Sequence, residues 1–226
     1  MRILGGLVAA MLAGGTGLAG AATQPLAIVN HDTRVLSRAM GGSEPVMTVS
    51  ATRPITGGPT VLPVISHADD ARGGRWVKVR LPGRPNGHTG WISARAVTPA
   101  ATTWSITVRI STRRVTAVRG GRPARSFTAV VGTPATPTPP GPFFVEEIVE
   151  LDRYDVGAPY ALALSARSEV LQEFAGGPGQ IAIHGTNNVG GVLGSAASHG
   201  CVRLDTKAIS WLAARIGPGV PVTITR

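Results

Sequence analysis

Cys201 is the only cysteine among 226 residues, and it lies in the run Ser198-His199-Gly200-Cys201-Val202-Arg203-Leu204. A thiol attacks a carbonyl carbon only as the thiolate, so a nucleophilic cysteine needs a base or positive surroundings. In extended chain His199 and Arg203, each two positions away, share a face with Cys201. A second histidine, His184, opens the segment "HGTNNVGGVLGSAASHGC" and reaches the thiol if the two ends of that segment lie side by side. Gly200 carries no Cβ, which leaves the amides of Gly200 and Cys201 able to face a developing oxyanion. Thiol, imidazole, cation and amides within one loop closure describe acyl transfer through a thioester. Two blander readings stand beside it. A free cysteine is commonly a small buried hydrophobe. A zinc ion could take Cys201, His184 and His199, although no fourth ligand stands out. Spacing alone does not rank the two histidines.

Such a site needs elements to hold it. The segment before Cys201 is too long and too poor in apolar residues to be idle, and it joins two apolar stretches, "QIAIHG" and "CVRL". Upstream, "TWSITVRIS" places Trp104, Ile106, Val108 and Ile110 on one face of a strand. A strand–Gly120-Gly121–strand hairpin follows, then the stiff, proline-rich "TPATPTPPGP" from Thr133 to Pro142. "FFVEEIVEL", "YALALS", "QIAIHG" and "VPVTIT" read as further strands. Two helices are expected. One is capped by Ser168 and ends before Gly176-Gly177; the other is capped by Asp205, carries Ile209, Leu212 and Ile216 on one face and stops at Gly217-Pro218.

The N-terminal half is rich in turns and short strands. "RWVKVRLPGRPNGHTGWISARAVTP" alternates Trp76, Lys78 and Arg80 with Val77, Val79 and Leu81, then turns at Pro82-Gly83 and Asn86-Gly87. It resembles a bacterial Src-homology-3-like small barrel, whose strands end in a step like Gly90-Trp91-Ile92. His67 with Asp69 and Asp70 reads as a polar turn rather than a metal site. The Ala/Thr/Pro stretch from Thr98 to Thr103 reads as the join between two β-rich domains.

Arg2 followed by an uncharged Leu/Val/Ala/Gly run and Ala19-Gly20-Ala21 is the layout of a secretory signal peptide over residues 1–21. It predicts export to the cell envelope, periplasm or wall, with no stable membrane span after cleavage. Lys+Arg 22 against Asp+Glu 12 gives +10. The arginines are scattered, with Arg113-Arg114 the only adjacent pair, so nucleic acid is not an expected partner. An acidic polymer such as a cell wall suits the same charge.

"HGT…SHGCVRL", with "VVGTPATPTPPGPFF" upstream, resembles the L,D-transpeptidase catalytic domain, also called the YkuD domain, over about Thr102 to Arg226. The resemblance implies a mainly β chain: signal peptide 1–21, Src-homology-3-like domain 23–99, then a β-sandwich-like catalytic domain 102–226 with one or two short helices. It implies no cofactor and no metal, with peptidoglycan stem peptides as the substrate; neither half shows an obvious self-association surface, so a monomer is the default expectation. The cysteine would attack the carbonyl of the third residue of a tetrapeptide stem, expel the terminal D-alanine and pass the acyl group to an amine, forming a 3→3 cross-link. A carbapenem would acylate the same sulfur. In this sequence Cys201 would be the nucleophile, His184 the base oriented by the carbonyl of Gly185, and His199 a supporting group. The amides of Gly200 and Cys201 would form the oxyanion hole, Ser198 would be structural, and Arg203 would steady the loop or a substrate carboxylate. Pro140-Gly141-Pro142 stands where the family often has Gly-Thr. The same site would serve a murein L,D-carboxypeptidase or endopeptidase, and the small barrel alone would suit a non-catalytic wall-binding protein or a spacer.

Overall fold

The computed structural model describes residues 22–226 apart from Ala175, so the expected leader over residues 1–21 lies outside the described residues. The chain is mainly β, as its short alternating runs predict. The first seven strands are β1 (Gln24–Val29), β2 (Thr33–Leu36), β3 (Pro45–Val49), β4 (Val61–Asp69), β5 (Arg75–Arg80), β6 (Thr89–Ser93) and β7 (Val97–Thr102). They form one antiparallel sheet in the order β3-β2-β6-β5-β4-β1-β7. Alternation along β5 does what the sequence promises: Val77 and Val79 are buried, with Leu81 beyond the strand end, while Trp76, Lys78 and Arg80 are half-buried.

The Ala/Thr/Pro stretch is not a linker. It is β7, paired along its length with β1, Ala27 opposite Pro99. Pro99 is tolerated because β7 is the edge of its sheet, where a missing N–H breaks no ladder.

The second unit begins at β8 (Trp104–Arg109) and continues with β9 (Arg114–Arg119), β10 (Arg122–Thr128), β11 (Val131–Gly132), β12 (Gly141–Glu150), β13 (Tyr160–Arg167), β14 (Gln180–Gly185), β15 (Ala196–Ser198), β16 (Val202–Leu204), helix α1 (Thr206–Ala213) and β17 (Pro221–Thr225). Eight of these strands make a mixed sheet ordered β10-β9-β8-β17-β12-β13-β14-β16, and β11 pairs with β15 beside it. Helix α1 starts where Asp205 Oδ1 accepts the amide of Ala208 at 2.8 Å. It packs Ile209 and Leu212 into the core against β13 and β14.

The expected helix after Ser168 does not form. Ser168 Oγ does accept the amides of Val170 and Leu171, as a cap would. The carbonyls of Ser168 and Leu171, which a helix would use itself, instead accept hydrogen bonds from Arg84 of the first unit. The described residues from 168 to 179 therefore form an open loop.

β12 belongs to both units. Phe143 and Val145 face the core of the second sheet, whereas Phe144, on the opposite face, is buried in the core of the first. The next two residues, Glu146 and Glu147, are also buried. Glu146 pairs with Arg53 of the first unit and accepts from Arg167 Nη1 at 2.9 Å and Gln180 Nε2 at 3.2 Å. Glu147 Oε2 accepts from the amide (3.0 Å) and hydroxyl (2.9 Å) of Thr56. Burial pulls Arg167 down to about 10, so it stays charged at neutral pH and matches Glu146. The two cores are thus joined by one shared strand with its buried carboxylates paired across the junction. Phe144→Ala should cost about 3–5 kcal/mol of unfolding free energy, as for other buried phenylalanines, read from the denaturant midpoint.

Candidate active site

The parallel pairing of β14 with β16 sets His184 opposite Arg203 and Ile183 opposite Val202. One step earlier, the Ala182 amide donates to Cys201 Sγ at 3.4 Å. The two ends of the glycine-rich segment therefore do lie side by side. Cys201, His184, His199 and Arg203 all line one cavity of about 270 Å³, whose walls also include Leu171, Phe174 and Ile181. Cys201 is half-buried, not sealed in hydrocarbon.

His184 Nδ1 lies 2.7 Å from the carbonyl oxygen of Gly185. A carbonyl can only accept, so Nδ1 carries the proton and Nε2 keeps its lone pair. Burial lowers the His184 pKa, the Gly185 bond partly opposes this, and the Arg203 charge adds to the lowering. The ring is therefore neutral at pH 7. Behind it, Gly157 sits at φ 90°, and a Cβ there would fall 2.5 Å from Nδ1. Only glycine allows this approach. Burial raises the Cys201 thiol, while the Ala182 amide and then Arg203 favour the thiolate and partly offset it. At rest the pair is thiol and neutral imidazole, not a preformed ion pair.

His199 differs from His184. It is exposed, and its ring stacks on Phe174 with centroids 5.4 Å apart. Arg203 is buried; its Nη1 donates to the Gly190 carbonyl at 2.7 Å, and its backbone pairs with Val130. It steadies the return loop while turning its charge toward the cavity.

The cysteine turn is held from below. Ser198 Oγ accepts the Gly200 amide at 3.1 Å and donates to the Cys201 carbonyl at 2.6 Å. These two bonds close the turn on itself. They also engage one of the two amides expected at an oxyanion hole, that of Gly200, and leave the Cys201 amide as the donor that no side chain takes among the described residues. The Thr-Pro loop supplies the remaining bonds. The Thr133 amide and the Thr136 hydroxyl both donate to the Ser198 carbonyl, at 3.0 and 3.2 Å. The buried Thr138 hydroxyl accepts the Gly132 amide and donates to the Gly200 carbonyl, both at 2.9 Å. The sequence marks this loop only as stiff; its threonines turn out to be the clamp on the turn that carries the thiol. Gly200 itself is at φ 117°, a conformation open to glycine.

Among the described residues no group of three or more His, Cys, Asp or Glu is placed to hold a metal ion. No described helix is long and apolar enough to cross a membrane. His67, Asp69 and Asp70 lie on or just after β4, far from the cysteine cavity in the fold, and Asp70 accepts from Trp76 and from the amides of Arg72 and Gly74.

Thr138→Val should keep the shape, strand two buried partners and lower the unfolding free energy by about 2 kcal/mol. It should also slow alkylation of Cys201 by iodoacetamide, whereas Thr138→Ser should restore both values.

Residues 103–224 match the family model of the L,D-transpeptidase catalytic domain, YkuD. The Bacillus subtilis (strain 168) protein YkuD, which bears an L,D-transpeptidase name, is 30% identical over 128 residues, 57% of this chain and 70% of its own length. Among solved structures, L,D-transpeptidase 3 from Mycobacterium tuberculosis, in complex with a faropenem-derived adduct, is 15% identical with a TM-score of 0.48, covering 88% of this chain and 97% of that one. An L,D-transpeptidase from Mycobacterium smegmatis is 18% identical with a TM-score of 0.42, covering 68% and 92%.

Proposed function

From the premise that this chain belongs to the L,D-transpeptidase catalytic domain family, we propose that it is a cysteine acyltransferase that forms 3→3 cross-links in peptidoglycan in the cell envelope. The observation that carries this reading is the arrangement of His184, with a neutral Nε2 fixed by the Gly185 carbonyl, in the same cavity as a half-buried Cys201. The proton bookkeeping follows from the two shifts. With the thiol raised and the imidazole lowered, the thiol proton passes to His184 Nε2 as sulfur closes on the carbonyl carbon of the stem's third residue. The Cys201 amide steadies the oxyanion, and Arg203 adds positive potential. Collapse breaks the peptide bond; the leaving D-alanine nitrogen takes the proton back from His184, and a thioester remains. An acceptor amine then attacks the thioester, His184 takes its proton, and the released sulfur regains one.

His199 serves differently. Its exposed ring, stacked on Phe174, forms part of the cavity rim rather than the proton path. Glycine and small residues around the thiol leave room for a peptide carbonyl, while the exposed Val156 and Phe174 on the cavity wall offer apolar contact to a stem.

The decisive experiment incubates the mature protein with a disaccharide-tetrapeptide and reads products by mass spectrometry. Cross-linked dimer with loss of D-alanine is the expected result, and Cys201→Ala should abolish it. Trimmed tripeptide alone would make the enzyme a carboxypeptidase, and unchanged substrate would leave a wall-binding role. A carbapenem should add its mass to Cys201 and not to Cys201→Ala. His184→Ala should lower the rate at least about 100-fold, and His199→Ala by much less; the reverse order would move the base to His199.

The pH dependence has a defined sign. His184 must be unprotonated to act, and its pKa lies below the ordinary 6.5, so turnover should fall on acidification only below that pH. Alkylation of Cys201 in the free protein should still be rising at pH 9.0, because burial lifts the thiol above that value.

A further inference from the structure

The loop from 168 to 179 supplies Ser168, Leu171, Phe174 and Gly179 to the wall of the cysteine cavity. It has little to hold it in place. Among its described residues there is no helix or strand, a bridge pairs Phe174 with Gly177, and Val170 and Phe174 are exposed. Its own ends meet where the Ser168 amide donates to the Gly179 carbonyl at 2.7 Å, and the Ser168 hydroxyl takes the Val170 and Leu171 amides; the remaining ties come from the other unit. Arg84 Nη2 donates to the carbonyls of Ser168 (2.7 Å) and Leu171 (3.1 Å), and Nη1 to that of Pro178 (2.9 Å). One guanidinium thus ties the start of the loop to its end. Gly179 makes room for this packing: a Cβ there would lie 2.1 Å from the Leu171 carbonyl oxygen and 3.2 Å from Arg84 Nη2.

Arg84 is itself anchored. It sits in the turn between β5 and β6, and that turn docks on β13. The Asn86 side-chain amide donates to the Arg167 carbonyl and accepts the Arg167 amide, both at 2.8 Å, and the Gly83 amide reaches the Ser165 carbonyl at 3.2 Å. The β13–β14 register shifts between Ala163 and Arg167, beside these groups.

We propose that Arg84 is a positioning residue for the cavity: through the 168–179 loop the N-terminal unit shapes the wall against which a stem peptide lies, including the Phe174 face that packs on His199. The N-terminal unit is then part of the substrate-binding device, not a spacer. The identity of the bound peptide rests on the function proposed above; the holding of the loop does not. Three carbonyl contacts to a fixed planar cation cannot be copied by a lysine ammonium, which reaches at most part of the set.

The test compares the full chain with Arg84→Ala and Arg84→Lys. Arg84 is exposed, so neither change opens the core. By hydrogen exchange, amides within 169–179 should exchange about ten-fold faster in Arg84→Ala with the strands unchanged, and Arg84→Lys should fall between. KM for the tetrapeptide substrate should rise about ten-fold in Arg84→Ala with little change in kcat. Alkylation of Cys201 by iodoacetamide, a probe too small to need the wall, should be unaffected. Unchanged exchange in the loop overturns the proposal. So does faster exchange with KM unmoved, or a loss of kcat and alkylation in step. The exchange arm needs no turnover: a wild-type protein inert toward stem peptides overturns the proposed function, while exchange alone still decides whether Arg84 holds the wall.

Discussion

Two neighbouring carboxylates taken out of water on one strand set the terms for the rest of this molecule. A buried carboxylate without a partner is costly by several kcal/mol, and truncating one member of a buried pair exposes that cost. Glu146 and Glu147 meet the requirement by drawing partners from both units: Arg53 and Thr56 from the first, Arg167 and Gln180 from the second. With Phe144 seated in the opposite core, this fixes how the two sheets meet. The β5–β6 turn then lands on β13, Arg84 comes within reach of the 168–179 loop, and Gln180 becomes both a Glu146 partner and a lining residue of the cysteine cavity. A charge requirement at the junction thereby extends to the site wall.

A second constraint acts on the opposite side of the thiol. The Cys201 turn exposes carbonyls at Ser198, Gly200 and Cys201 that no strand ladder takes up. The threonines of the Thr-Pro loop and the Ser198 hydroxyl satisfy them. Prolines between those threonines keep the loop from relaxing into a ladder of its own. The reactive turn is thus supported by side-chain hydroxyls on a rigid arch, while its upper face stays open to the cavity.

Much of this could be read from the residues alone, and the reasons differ by feature. β5, β8 and α1 were legible because one face is apolar and the other is not, so periodicity carries the assignment, and Asp205 carries the cap. The meeting of Cys201 with His184 was legible as a possibility because few residue types do such chemistry, whereas spacing could not rank the histidines, since the Gly185 carbonyl that fixes the His184 ring leaves no mark in it. The Ser168 helix failed because a distant guanidinium outcompeted the helix for its carbonyls, a contact spanning 84 positions that no local window holds. The burial of Glu146 and Glu147 left no local signal either, because their partners Arg53 and Thr56 are remote in the chain. Pro99 suggested a linker because an edge strand and a linker share its composition. The hydroxyl roles of Thr133, Thr136 and Thr138 left no signal beyond proline content, since a threonine that clamps looks like one that merely turns.

The resting protonation of Cys201 also bears on how long the molecule lasts. Peroxide and other oxidants attack sulfur as the anion, and the first product, a sulfenic acid, would silence a protein with no second cysteine to rescue it as a disulfide. By keeping the sulfur protonated in the free protein, burial withholds the oxidisable form. Neutrality at rest therefore guards against oxidation a sulfur for which the sequence holds no substitute.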